Sequence, residues 1–94
     1  MTHTPGPWRI GKGYGAIVSS TPVEDGLDGG NNVEAYGGHL ICESVAPCNM
    51  RLISAAPDLL EALKELRKQV PPYSLGSALL GKVDDAIARA EGTI

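Results

Sequence analysis

The sequence predicts a small α+β fold: an antiparallel β-meander of three to four strands, then two or three C-terminal helices as an antiparallel pair, the first kinked at Pro57. Three observations predict it. Short Ile- and Val-bearing segments bounded by glycine turns fill the first half. Apolar residues recur at three- and four-residue steps through the second half. Pro47 and the Pro71-Pro72 pair mark the divisions. One domain is expected over residues 1–94, with a β-rich half at 1–47 and a helical half at 48–92.

The first two strands are PWRI (7–10) and GAIVSS (15–20), joined by GKGY, a glycine-bearing turn of hairpin length. Residues 21–38 read as a long loop dense in turn residues, with at most a weak strand at VEAY (33–36). HLICESV (39–45) is the third strand. Leu52, Ile53, Ala56, Leu59, Leu60, Leu63, Leu66 and Val70 then form one apolar stripe. Pro57 interrupts it, since proline inside a helix clashes with the carbonyl four residues back. Two forms satisfy that constraint: a short helix 49–56 followed by a new one at 57, or one helix bent at Ala56. The stripe stays in phase through the proline, which favours the bent or nearly coaxial form. Pro71-Pro72 ends this segment. Ser74 is placed to cap a last helix with Leu75, Leu79, Val83, Ala86, Ile87 and Ala90 on one face, and Gly92 stands where a C′ glycine belongs. Gly76 and Gly81 each cost that helix about 1 kcal/mol relative to Ala. A close helix–helix approach would account for Gly81.

Composition narrows the function classes. The chain has no Phe and a single Trp, so its core rests on Leu, Ile, Val and Ala. A domain of this size buries only about 60–65% of its unfolded surface and gains from assembly, which makes a homo-oligomer the expected state. Cys42 and Cys48 are the only cysteines, and with His39 they fall short of zinc-ligand spacing, so no metal or cofactor is expected. No apolar leader opens the sequence and no run approaches a membrane span, so a cytoplasmic protein is expected, away from membranes. The net charge of −3 lies wholly in residues 1–47, and residues 48–94 carry six basic and six acidic groups. No Lys/Arg cluster suits long nucleic acid. His3 and His39 lack a nucleophile or acid at catalytic spacing, and GKGYG lacks the helix and Lys-Ser/Thr of a phosphate loop. The chain reads as non-enzymatic.

Asn49 opens the helical pattern at the N-cap position, where an amide caps the helix or reads a ligand. Arg51 lies off the stripe, either as a solvated charge or as a ligand or interface contact. Trp8, between Pro7 and Ile10, suits a core plug or an aromatic platform, and Tyr14 in the glycine turn is placed to be exposed.

Two segments, HTPGPW (3–8) and NMRLISAAPDLLEAL (49–63), resemble a family of small phage and prophage accessory proteins, as does the closing AIARAEG (86–92). The chain departs from that pattern at Met50 and Ser54, where the family usually has Ala, and residues 11–38 carry none of its motifs. The resemblance implies a virus-encoded protein acting in a bacterial cytoplasm. Small phage proteins with a sheet and C-terminal helices include counter-defence proteins that sequester cyclic nucleotide immune signals. Such a ligand needs a guanidinium for phosphate and an aromatic face for the base. Trp8, Arg9, Tyr14, Asn49 and Arg51 are the residues expected to supply them. The alternative is an inhibitor that binds a host defence protein, with the acidic loop of Glu24, Asp25, Asp28 and Glu34 imitating nucleic-acid charge.

Overall fold

The computed structural model describes residues 3–23 and 30–93. The α+β class is as expected, and the elements run as strands β1 (Trp8–Ile10) and β2 (Ile17–Ser19), helix α1 (Gly30–Tyr36), strand β3 (His39–Cys42), then helices α2 (Pro47–Ser54), α3 (Ala56–Gln69) and α4 (Ser77–Glu91), with a 3-10 turn at Pro72–Ser74. The strands form one antiparallel sheet in the order β1-β2-β3. Arg9 stands opposite Val18, and Val18 opposite Leu40. A register shift between Ile17 and Val18 leaves Ile41 as the extra residue of β3.

The chain divides into two compact units, one of Thr4–Asp58 and one running from Leu59 onward. The core of the first is its central strand. Ala16, Ile17 and Val18 are fully buried and Ser19 is nearly so, because β2 pairs on both edges while α2 packs against β1 and β2. The Ser19 hydroxyl donates to Pro5 O and accepts from the Thr21 N–H, so this one buried polar side chain is satisfied.

Pro57 answers to the same unit. The helical stretch breaks at Ala55 (φ −87°, ψ −4°), giving two helices separated by one residue instead of one bent helix. Pro57 is the second residue of α3, where its missing N–H leaves no helical carbonyl unpaired. Its ring is buried, and a Cβ built on Gly6 would lie 3.0 Å from Pro57 Cβ. Gly6 and Pro57 are therefore closely packed, and a side chain at Gly6 would crowd the proline ring.

Several local expectations are corrected. Residues 30–36, read as loop and weak strand, form α1, which ends where the N–H groups of Gly37 and Gly38 both donate to Val33 O. The loop residues Glu24, Asp25 and Asp28 lie outside the described residues, and Glu34 is exposed on α1. Ser74 does not cap the last helix: it sits in the 3-10 turn, and α4 begins after Gly76, whose φ of 74° is a left-handed conformation glycine adopts freely. Gly76 is thus outside the helix. Gly81 is inside it, but a Cβ there would meet nothing within 4 Å, so no close helix approach explains it. Gly92 does terminate α4, its N–H donating to Arg89 O and that of Thr93 to Ala88 O, the paired bonds of a Schellman ending. The apolar stripe is only partly covered: Leu52, Leu59 and Leu66 are more than half exposed.

Candidate functional site

The hairpin turn between β1 and β2 is the most constrained part of the first unit. Gly13, Tyr14 and Gly15 take left-handed φ values of 83°, 59° and 59° in succession. Tyr14 O accepts from the Ser44 N–H (2.8 Å) and Gly15 O from the Val45 N–H (3.0 Å), so the turn is stitched to the chain beyond β3. Ser44, the residue facing it, has a φ of 60°. A Cβ on Gly15 would lie 2.8 Å from both the N and the O of Val45, so only glycine allows this approach. A tyrosine at positive φ is uncommon, and backbone held this way is characteristic of sites where a side chain is being aimed.

What the turn aims is the Tyr14 ring, 70% exposed. Tyr36, the last residue of α1, meets it edge to face at 5.4 Å between ring centroids. The Tyr36 hydroxyl donates to Glu43 Oε2 at 2.5 Å, and its carbonyl accepts the Lys12 N–H. That hydrogen bond to Glu43 pushes the Tyr36 phenol up from its ordinary value, with desolvation and the Glu43 charge adding to it. Tyr36 is thus a fixed neutral support for Tyr14.

Beside Tyr14 lies an open cleft of about 620 Å³, lined by Ile10, Tyr14, Val45, Ala46, Pro47 and Met50 with the turn glycines and Ser44. Most of these are apolar, and none is cationic. Ala46 is the N-cap of α2 and Pro47 its first residue, so the helix presents one amide fewer here than an ordinary N-terminus. The cleft suits an apolar or aromatic group.

Of the five residues expected to bind ligand, the cleft contains one, Tyr14. Trp8 is half-buried, its indole N–H donating to Thr4 O at 3.1 Å. Arg9 donates to Ser20 Oγ (2.9 Å) and Gly37 O (2.8 Å), fastening the start of the sheet to the end of α1. Asn49 is not the N-cap. It is the third residue of α2, exposed, its N–H donating to Ala46 O and its side-chain oxygen meeting Cys48 Sγ at 3.7 Å. Arg51 is exposed near the end of α2, with no side-chain hydrogen bond or ion pair among the described residues. Sequence reasoning missed the rest of the lining, including Ile10, Val45 and Met50.

Among the described residues, no group of three or more His, Cys, Asp or Glu could hold a metal ion, and no helix is long and apolar enough to cross a membrane. Cys42 is partly buried, which raises its thiol pKa, and Cys48 is exposed. No curated protein and no solved structure matches the chain. A family model does, that of Salmonella phage P22 protein Y8K6, and since it spans residues 1–94 the chain belongs to that phage protein family.

Proposed function

We propose that this phage protein is a non-enzymatic counter-defence protein that works in the host cytoplasm by binding, and that its contact is an apolar segment of a host protein seated in the Tyr14 cleft. The observation that carries this reading is the cleft's make-up: an outward aromatic ring on a backbone-locked turn, beside Ile10, Val45 and Met50, with no cationic side chain in the lining. Exposed tyrosine next to a flexible methionine is a surface suited to protein contact. Asn adopts left-handed backbone conformations readily, so Tyr14→Asn removes the ring while preserving the turn. Affinity capture from infected host cells should recover one host protein with the wild type and lose it with Tyr14→Asn and with Met50→Glu. Equal recovery by both variants refutes the reading.

Sequestration of a cyclic nucleotide signal is the second reading. It is favoured by Arg51, an exposed guanidinium with no side-chain partner among the described residues, and by the availability of the Tyr14 face for stacking. Its test is a thermal-shift panel of cyclic di- and trinucleotides and cyclic ADP-ribose isomers. A ligand at about 100 times its dissociation constant adds about 2.7 kcal/mol. A shift abolished by Arg51→Ala would put this reading first, and a flat panel would remove it.

A further inference from the structure

The lining of the Tyr14 cleft is mostly apolar, but a carboxylate stands beside it. Glu43 directly precedes Ser44, whose N–H donates to Tyr14 O, and its Oε2 accepts the Tyr36 hydroxyl at 2.5 Å. Tyr36 in turn meets the Tyr14 ring at 5.4 Å, the two rings inclined at 70°. Backbone on one side and the ring pair on the other thus hold Glu43 next to Tyr14. Glu43 is exposed, and among the described residues no Lys or Arg pairs with it. Arg9 is engaged by Ser20 and Gly37, and the stem of Lys12 lies along Gly37, where a Cβ would come within 3.3 Å of Lys12 Cγ. A carboxylate offers about four lone-pair sites, and the Tyr36 hydroxyl takes one of them.

We propose that Tyr14 and Glu43 together receive a cationic side chain, an arginine of the host segment seated in the cleft. The inference rests on the protein-contact reading above and names the chemistry of that contact. Two properties select this occupant. The first is the pairing of an exposed aromatic face with a carboxylate. A guanidinium is attracted to the face of a tyrosine and stacks flat on it, which a lysine ammonium does not. The same planar fork donates to a carboxylate at its edge. The second is charge. Residues 1–47 carry Arg9 and Lys12 against Glu24, Asp25, Asp28, Glu34 and Glu43, so this half of the chain attracts a basic partner and repels an acidic one. A wholly apolar occupant would desolvate the Glu43 carboxylate without pairing it. A phosphate would meet it with like charge.

The test is an NMR titration of the isotope-labelled full chain with acetyl-Leu-Arg-Leu amide, a peptide whose guanidinium is its one charge. The control is the same peptide with citrulline for arginine, which keeps the shape and loses the charge. The arginine peptide should shift the amides of Tyr14, Gly15, Ser44 and Val45 saturably. The citrulline peptide should bind about fivefold more weakly, the size of one exposed cation–π contact. Glu43→Gln, whose amide oxygen still accepts the Tyr36 hydroxyl, should weaken the arginine peptide by a similar factor and leave the citrulline peptide unchanged. Equal binding of the two peptides, full arginine affinity in Glu43→Gln, or no saturable shift at these amides would each overturn the proposal. The two readings fail separately. Host capture that depends on Tyr14 and Met50, with a flat arginine titration, ends this inference and leaves the contact. Arginine binding as expected, with capture indifferent to Tyr14→Asn and Met50→Glu, ends the contact reading and leaves the cation site.

Discussion

At the scale of single residues, the same side-chain type does different work depending on what the fold places opposite it. Arg9 and Arg51 look equivalent in sequence, but Arg9 spends its donors on Ser20 and Gly37 while Arg51 stays exposed. Asn49 favours a cap by type, yet the helix starts two residues earlier at Pro47, so its amide caps nothing. Asn49→Ala should therefore leave the urea midpoint unchanged, where loss of a true cap costs about 0.5–2 kcal/mol. Tyr36 carries a pH dependence whose sign follows from its raised pKa. The folded state prefers the neutral phenol that donates to Glu43, so this contribution is fully present below the ordinary phenol value of 10.0 and is lost as pH rises through the higher folded value. Melting temperatures measured from neutral to strongly alkaline pH should fall more steeply for the wild type than for Tyr36→Phe. Parallel curves would show that the Glu43 bond does not couple to folding.

At the scale of elements, three strands and a helical second half were legible because each carries its own periodic pattern. The misses share one cause: an element's ends were set by partners distant in sequence or by backbone angles that composition does not display. Helix α1 begins Gly-Asn-Asn, a poor helix start by propensity, and is closed by Gly37 and Gly38 on Val33. Ser74 is a better cap by type than Gly76, but the Pro71-Pro72 pair is followed by a 3-10 turn, and the left-handed Gly76 provides the entry to α4. These placements set opposite expectations for two glycines of one segment. Gly81 lies inside α4 with open space around it, so Gly81→Ala should stabilise the protein by about 0.5–1 kcal/mol. Gly76→Ala should destabilise it, because alanine at a φ of 74° is strained. Thermal or urea denaturation of the two variants side by side checks the pair, and a matched sign in both would contradict the helix start at Ser77.

At the scale of the whole molecule, the HTPGPW and AAPDLL segments belong to the packing, so their sequence discloses no site. HTPGPW and AAPDLL meet at Gly6 and Pro57, and Trp8 is turned to Thr4. The cleft could not be read from sequence because its lining comes from two stretches far apart in the chain, 10–15 and 44–50, which the bonds of Tyr14 and Gly15 to Ser44 and Val45 bring together. Stability is divided just as unevenly. The buried apolar side chains among the described residues all lie in the first unit, Ala16, Ile17 and Val18 at the central strand and Pro57 at the start of α3, while the described residues after Asp58 have none. Local opening free energies follow burial and pairing, so the chain should not open as one block. In dilute solution the amides of Ile17–Ser19, in a strand paired on both edges, should exchange last. Those of α4, an amphipathic helix with no buried side chain, should exchange well before global unfolding. Native-state hydrogen exchange resolved by residue would show two separate plateaus on this account. A single plateau shared by β2 and α4 would mean that the helical segment draws its stability from the sheet unit.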